Sequence, residues 1–583
     1  MSLERNSKLV SRKFIHYLIP SILMIFAMQF GSLLDGILVG NLIGNDALAA
    51  SALVVPILYV IQMPGFALGI GGSIVVSNRL GKRDIEGAKK AFSISVILGM
   101  AISFVFFALS FFVSEPLAKL FGESSLEYSY PYVYMYILTV PVLTIALLIG
   151  SFMAVDNCPK LSSALYIVAN VGKVGLEILF IQVFNMGMYG AALSTAAGYL
   201  LVLLLLIPYI KSKKRLLSLT FKIKGSGLKE ILKTSSTSAL NMTLTAAQML
   251  VINIFIGRLI TENLDLLAYG LVANMVFVFD LFCGGIINLI PTLCAIFYGE
   301  KDYYSLKSVT KKIYYINIGV TLVITAFIAI FPQVYSIIFG FDDMANMSYV
   351  SAFLRVYLFS FIFYEINKFS MNYYPSIDKN IVSIITVLLR ELIIVIPLTL
   401  VLLFADGLMG YCIAATITEF ATLIITYAFI LIYNKKKKIY HGFFMLEKVN
   451  PKSLDVSLNN NFEEVSLVSE RLTNFAKDNG ISNREAQIVG LAAEEIASNI
   501  VTYGYKKGKQ NYIDVNLRII SDTLILRIRD DGLPFDPTKY EFDDDESYST
   551  SGIKLIQSLV DKMTYMRTLN LNNTIFEIKC KGE

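Results

Sequence analysis

The chain has 583 residues, 55% of them hydrophobic, and a mean hydropathy of +0.62. Apolar stretches of about 20 residues recur along it, which excludes an ordinary soluble globular protein and fits a polytopic membrane protein with one small water-soluble domain. The net charge of +5 resides in loops between those stretches, so it reads as a membrane-orientation signal and implies no nucleic-acid partner.

The N-terminal sequence MSLERNSKLVSRKFIHYLIP is basic and leads into an apolar segment reaching Gly40. That segment is too long for a signal-peptide core, and no small-residue cleavage site follows, so it reads as the first spanning helix. Spanning windows then follow at 14–40, 46–72, 91–114, 130–153, 161–184, 188–210, 234–259, 266–296, 313–333, 348–369, 381–404 and 409–433. An N-terminus on the cytosolic side makes inner loops of Arg79–Lys90, Lys211–Lys233 and Lys301–Lys312, all rich in Lys and Arg, and leaves little outside beyond Lys119 and Arg258. An even number of spans returns the C-terminus to the cytosol. Cys158, Cys283, Cys294, Cys412 and Cys580 lack CxxC spacing and imply neither disulfides nor zinc.

The sequence also repeats. Gly81-Lys-Arg-Asp84 recurs as Gly299-Glu-Lys-Asp302 and Leu120-Phe-Gly122 as Ile338-Phe-Gly340, both 218 residues later, and Gly187-x-x-Gly190 recurs as Gly407-x-x-Gly410. Each repeat holds six predicted helices, so the halves share one orientation and are related by an axis along the membrane normal. Such halves around a central cleft suit alternating access; a channel or a receptor is the alternative.

Several ionisable residues fall at bilayer depth, where each costs several kcal/mol unless paired or hydrated. Asp35 is late in the first span. Lys173 and Glu177 are four apart in the fifth, on one helix face and within ion-pair reach. Thr195 in the sixth offers a hydroxyl. Asp280, Glu365, Lys368, Arg390, Glu391 and Glu419 occupy the second half, with Asn253 as the repeat mate of Asp35. The aromatic run Tyr128–Tyr136 reads as an interfacial belt rather than a pathway lining. Gly69, Gly71 and Gly72 read as points of close helix contact.

Residues Asp35-Gly-Ile-Leu-Val-Gly40, Gly69–Asp84, Gly187-Met-Tyr-Gly-Ala-Ala192, Leu388-Leu-Arg390 with Pro397, and Glu419 together resemble the MATE (multidrug and toxic compound extrusion) transporters, over about 1–435. The resemblance implies two six-helix lobes and export of small cationic or amphiphilic substrates across the cytoplasmic membrane, driven by inward H+ or Na+. It also assigns Asp35, Glu177 and Thr195 to the cation-coupling site of the first lobe. Lys173 departs from the family, where Asn is common at that position. Its ammonium either occupies the place of sodium, making coupling protonic, or forms a static bridge to Glu177. The pairing of Arg390 and Glu419, which also match family positions, is expected to be structural.

The basic run Lys435–Lys438 ends the apolar region. The expected division is a membrane domain over 1–440, a linker over 441–454 and a soluble domain over 455–583. A helix is predicted over Gln487–Tyr503, with Ile488, Leu491, Ala492 and Ile496 on one face and Glu495 and Asn499 on another. Thr523–Arg529 alternates like a strand and runs into Asp530-Asp-Gly-Leu-Pro-Phe-Asp536. A second helix opens at Gly552 and strands follow near 563–569 and 573–579. No Walker A sequence is present.

This arrangement resembles the GHKL ATP-binding fold, nearest to the anti-sigma-factor serine kinases. The resemblance implies ATP and Mg2+ as cofactors, with Glu495 as catalytic base and Asn499 as magnesium ligand. It further implies that Asp530 and Gly532 bind adenine and that Gly552 offers backbone N–H groups to phosphate. The lid glycine expected before Gly552 is replaced by Ser549, Thr550 or Ser551, and the acidic 541–547 segment disfavours fast hydrolysis.

The resulting expectation has two parts. The fold is an all-α membrane domain of twelve helices followed by a small α+β domain. The function is ion-driven antiport, with a nucleotide-binding tail that senses ATP or a regulatory protein. A membrane sensor with a serine-kinase tail and a lipid-linked sugar flippase are the alternatives.

Overall fold

In the computed structural model the described residues are 4–119, 126–212, 215–221, 227–260, 262–339, 344–447, 452–505, 510–539 and 551–580. Internal packing defines two compact units: His16–Leu446, and the N-terminal segment up to Ile15 together with Glu447 onward.

The first unit is helical. Among the described residues ten helices are long and apolar enough to cross a membrane, and the pair Leu126–Leu138 and Val140–Val155, bent by 55°, counts as an eleventh when taken as one broken span. Asn380–Lys437 extends over 58 residues, about 87 Å at the α-helical rise and nearly three times a hydrocarbon thickness of about 30 Å. It breaks at Asp406 (φ −142°, ψ 25°) and Gly407 (φ 54°, ψ −137°), where the backbone leaves the helical region. Read as two crossings, it restores the twelve expected from hydropathy.

The sequence repeat is also a backbone repeat. Arg83 and Lys301, one per motif, both adopt left-handed conformations (φ 65° and 56°). The following aspartates each cap a helix: Asp84 accepts from the Gly87 N–H at 2.8 Å, Asp302 from the Ser305 N–H at 3.1 Å. Gly187 and Gly407 likewise share positive φ values of 53° and 54°. The third repeated pair involves residues 120–122 and 340, which lie outside the described residues.

The two motifs touch. A Cβ added to Gly81 would stand 2.3 Å from the Ile296 carbonyl oxygen and 2.9 Å from Gly299 Cα, and one on Gly299 would stand 2.3 Å from the Asn78 carbonyl oxygen. Backbone therefore meets backbone across the repeats, in the manner of small-residue helix contacts. Gly71 against Ser235, with an added Cβ 2.5 Å from the Ser235 N, and Gly285 against Ile22 extend the same inter-repeat seam. The Ser21 hydroxyl donates to the Gly285 carbonyl at 2.7 Å beside it. Gly72 packs instead within its own half, against Ser95 and Phe152.

After the last helix, residues 439–446 turn back onto helices Tyr303–Ile330 and Met347–Ser376. The Tyr373 and Tyr374 hydroxyls donate to the Phe444 and Phe443 carbonyls at 2.9 and 2.6 Å, and the rings of Tyr314, Phe369, Phe443 and Phe444 cluster around them. Part of the expected linker thus belongs to the membrane unit.

The second unit is α+β. Five antiparallel strands, β1 (Ser453–Asn459), β2 (Tyr512–Ile520), β3 (Thr523–Asp530), β4 (Lys562–Thr568) and β5 (Leu571–Lys579), lie in the order β1-β2-β3-β5-β4. Helices Phe462–Asp478 and Asn483–Asn499 pack on the sheet through Val465, Val468, Leu472, Ala486, Val489, Ala493 and Ile496, all buried against Val456, Val515, Leu526 and Phe576. Both helices carry N-caps legible in sequence: Asn461 accepts from the Glu464 N–H, Ser482 from that of Glu485. The predicted helix over 487–503 begins earlier, at Asn483, and from Ile500 to Gly504 widens into a π-turn. β1, β2 and the helix Phe462–Asp478 add elements beyond those predicted.

Filling the inter-repeat seam should overpack it. Gly81→Val and Gly299→Val are each expected to cost about 1–3 kcal/mol and lower the Tm of the purified protein. Gly257→Ala, where an added Cβ meets nothing within 4 Å, should not. A thermal melt in detergent distinguishes them.

Candidate functional site

The first-lobe site forms where helix Lys8–Leu42 meets helix Pro159–Ile178. Close approach comes from Gly31: a Cβ there would lie 2.3 Å from the Asn170 Oδ1. One turn further along each helix, the Lys173 Nζ is 3.0 Å from the Asp35 Oδ1, with both side chains largely buried. The Tyr132 hydroxyl donates to the other Asp35 oxygen at 3.4 Å. The sequence placed Lys173 within reach of Glu177; the structure pairs it with Asp35, because the close helix crossing brings Asp35 to the ammonium.

Glu177 is fully buried, and neither of its carboxyl oxygens has a hydrogen-bond partner. The charges acting on it are those of Asp35 and Lys173. It stands just before the π-turn Leu179–Val183, a widening of the helix of the kind that recurs at functional positions. The Thr195 hydroxyl is also buried without a partner. It lies one turn from Gly198, whose added Cβ would be 3.0 Å from the Lys173 Cβ, so it shares the face that meets Lys173. Asp35, Lys173 and Glu177 are thus assembled, with Thr195 on the adjoining face.

Tyr132 and Asn170 are additions to the predicted set. Tyr132 was hidden in a run that reads as an interfacial belt. At helical spacing the run divides: Tyr132 and Tyr136 are buried, the second accepting from Gln62 Nε2 at 2.9 Å, whereas Tyr130 and Tyr134 stack on each other.

The equivalent place in the second half differs. Asn253, mate of Asp35, accepts from the Tyr269 hydroxyl at 2.6 Å. Arg390 donates to Glu419 and Glu391, each at 2.7 Å, while Asn367 donates to Glu419 at 2.8 Å. The Arg390 guanidinium also lies 4.4 Å from the Tyr364 ring centre. Lys368 is bonded to Asp280, and Glu365 accepts from Asn317 at 3.0 Å. Arg390 and Glu419 are thus paired, while the Glu365 Oε1 and Asn367 Oδ1 are buried without a hydrogen-bond partner among the described residues.

In the tail, the candidate nucleotide residues gather at the C-terminal end of helix Asn483–Asn499. The Asn499 amide donates to the Glu495 carboxylate and to its carbonyl, both at 2.8 Å, which leaves the amide oxygen as the acceptor end of the side chain. A Cβ on Gly552 would fall 2.2 Å from the Glu495 carboxyl carbon, so helix Ser551–Leu559 begins against that carboxylate. Asp530, at the end of β3, is 3% exposed. It accepts from the Gly532 N–H at 2.7 Å and from Asn572 at 2.8 Å. Gly532 abuts the Gly504 carbonyl, to which Leu533 N–H donates at 2.9 Å, so the two halves of the site are joined by backbone. Asn572 and Arg567, which bonds the Gly532 carbonyl at 3.2 Å, were not predicted. Both sit on strands whose polar residues carry no motif. Residues 541–547, Ser549 and Thr550 lie outside the described residues. A cleft of about 460 Å³ between β1 and helix Phe462–Asp478 shares no residue with this set.

Burial raises the Asp530 carboxyl to about 6, partly offset by the Asn572 and Gly532 hydrogen bonds. An acceptor-only aspartate poised against an exposed turn suits an amino group of a base, and one amide oxygen suits a magnesium ion held mainly by phosphate oxygens. The donor set therefore fits Mg-ATP.

A helical unit of membrane-spanning length built from two repeated halves defines a polytopic membrane protein with an internal repeat. A model of the MatE family matches residues 20–179 and 238–401. The chain belongs to the MatE family. Residues 458–577 match the histidine kinase-like ATPase domain. The multidrug export protein MepA of Staphylococcus saprophyticus is 24% identical over 442 residues, covering 73% of this chain and 94% of that protein. MepA of Staphylococcus aureus MRSA252 is 22% identical over 433 residues, covering 72% and 94%. A MOP superfamily transporter from Pyrococcus furiosus superposes with a TM-score of 0.67 at 18% identity, covering 75% of this chain and all of that one. An outward-facing multidrug resistance MATE transporter gives a TM-score of 0.65 at 17% identity, with coverage of 75% and 100%. These structural likenesses concern the fold.

Asp530 favours folding in its neutral form. Its contribution is complete below pH 3.8, the unfolded-chain value, and is lost as the pH climbs through about 6. Asp530→Asn keeps the oxygen that accepts from Gly532 and Asn572. It should therefore stabilise the tail by up to about 3 kcal/mol at pH 8 and leave it unchanged near pH 3. Hydrogen exchange of β2 and β3 amides measures both.

Proposed function

We propose that the chain exports small cationic or amphiphilic solutes across the cell membrane in exchange for protons. His16–Leu446 acts as the transporter, and Glu447 onward, packed with the N-terminal segment up to Ile15, as a regulatory nucleotide-binding domain, with both termini cytosolic. The observation that carries the reading is Glu177, buried without a hydrogen bond beside the Asp35–Lys173 pair. An ionised carboxylate in that setting is too costly to persist, so Glu177 holds a proton or a cation. Lys173 already supplies one positive charge where a sodium ion would sit, which favours a proton. The uncharged Asn253 at the repeat position of Asp35 supports a single coupling lobe. The relatives named multidrug export protein MepA support the substrate class.

In the tail, Asp530 and Gly532 would take the adenine, Asn499 a magnesium ion, and the N–H groups at Gly552 phosphate oxygens. Glu495, hydrogen-bonded to Asn499, stands where a base would accept a proton. Bound ATP would supply a transferable phosphoryl group. A regulatory role fits better than a motor role, because one such domain lacks the paired P-loop arrangement of ATP-driven exporters.

Proteoliposome dye efflux driven by a pH gradient tests the coupling. Asp35→Asn is expected to lower the rate by at least about tenfold, the equivalent of 1.4 kcal/mol, and the unaltered protein should work without sodium. Strict sodium dependence would refute the proton reading. Lys173→Asn should convert the protein toward sodium dependence; a Lys173→Asn protein still indifferent to sodium counts against the tethered-cation role. Mg-ATP binding to the full chain should be lost in Asn499→Ala, while ion-driven efflux persists.

A further inference from the structure

We infer that the basic N-terminal turn, Arg5 to Lys13, is the element that links the nucleotide state of the tail to the transporter, an inference that rests on the nucleotide-binding reading above. Arg5 Nη1 lies 2.8 Å from Asp514 Oδ1, with side chains only 5% and 2% exposed. Ser457 Oγ donates to the same carboxylate at 2.6 Å and accepts from the Asn6 N–H at 3.1 Å. The Lys8 ammonium lies 4.9 Å from the Tyr512 ring centre. Arg12 Nη1 donates to Asn511 Oδ1 at 2.8 Å and reaches Asp531 Oδ2 at 3.4 Å. Lys13 Nζ donates to the Asn570 carbonyl at 3.1 Å and stands 3.8 Å from Asp531 Oδ2. Leu9, Val10 and Phe14 are buried alongside.

These partners come from β1, β2, the end of β3 and the β4–β5 turn. The strand register, with Asn459 opposite Tyr512, Asp514 opposite Arg529 and Asp530 opposite Asn572, places them at one end of the sheet. Asp530 and Asn572, the candidate base-binding pair, occupy that same end. Asp530 and Asp531 are consecutive, and successive side chains at the end of a strand leave in opposite directions. One is available to a nucleotide and the other to the N-terminal segment.

Asp531 is 7% exposed, and the only cations in ion-pair contact with its carboxylate among the described residues are Arg12 and Lys13, with the Tyr505 hydroxyl beside it. Its own N–H is held by the Tyr505 hydroxyl at 3.3 Å, in the turn that Gly532 and Leu533 continue onto Gly504. A base binding at Asp530 and Gly532 must adjust this turn and move the carboxylate that Arg12 and Lys13 grip. Lys13 lies in the second turn of helix Lys8–Leu42, which also carries Asp35, with Pro20 between them. Residues proposed to answer to the nucleotide and the residue proposed to couple transport therefore lie on one helix.

The test compares wild-type full-length protein with Arg12→Glu/Lys13→Glu, measuring Mg2+-dependent binding of a fluorescent ATP analogue and proton-driven dye efflux with and without Mg-ATP. The wild type should bind, and its efflux should change by at least about fivefold, the lower range of allosteric coupling. The double variant should still bind within about tenfold while its efflux ignores Mg-ATP, and adding Asp531→Lys should restore the response. A double variant that responds like the wild type, or a wild type that binds without any change in efflux, overturns the inference. Absence of analogue binding by the wild type overturns the nucleotide reading and this inference with it, and the binding arm alone identifies that case. Independently of any variant, hydrogen exchange at residues 4–13 should change by about tenfold or more on Mg-ATP addition; an unchanged rate with nucleotide bound also overturns it.

Discussion

An ionised carboxylate among apolar helices is costly unless a countercharge, a proton or water meets it, and in the first lobe there are two carboxyl groups for one ammonium. Lys173 can neutralise Asp35 or Glu177 at a given moment, and in this conformation it lies on Asp35. Glu177 is left with both carboxyl oxygens buried and without a hydrogen-bond partner among the described residues. The Gly31–Asn170 approach matters for this reason, since it fixes the helix spacing that brings Asp35 to the ammonium. A larger residue at position 31 would separate the pair and leave two buried charges to be solved independently.

The second lobe shows the same constraint met differently. Arg390 holds Glu391 and Glu419, and Asn367 takes a further oxygen of Glu419. Carboxyl groups outnumber cations there as well, but Arg390 reaches both of its acids and hydrogen bonds from Asn367 and Asn317 add to the pairing. The backbone repeat is nonetheless kept: the left-handed residues at Arg83 and Lys301 and the caps at Asp84 and Asp302 match in detail. Two halves built on one plan have thus diverged mainly in which buried groups are left incomplete.

Much of this was legible from residue order. Hydropathy found the spans because lipid demands unbroken apolar length, and the break at Asp406 and Gly407 was visible for the same reason. Gly69, Gly71 and Gly72 read as close contacts, but the seam between the repeats at Gly71, Gly81, Gly285 and Gly299 was not legible, because a repeat does not say that its copies touch. Pairing was harder. Helical spacing joined Lys173 to Glu177, yet the partner was a residue on another helix, a contact that local periodicity does not encode. Tyr132 was masked by its aromatic neighbours, which only a helical face separates. In the tail, Glu495, Asn499, Asp530 and Gly552 were marked by motif, whereas Asn572 and Arg567 reach the site through strand pairing. The role of residues 5–13 was also invisible, because a basic leader before a first span ordinarily signals topology alone.

The aromatic mooring of residues 439–446 has a consequence for how such a chain can be assembled. Because Tyr373 and Tyr374 fasten the Phe443–Phe444 carbonyls, the polypeptide leaves the membrane unit from a fixed post rather than a frayed helix end. Whatever is spliced on after Leu446 inherits a defined point of departure. A module exchanged at that seam would leave the last membrane helix in place, but it would also have to receive residues 4–15, which pack with the tail.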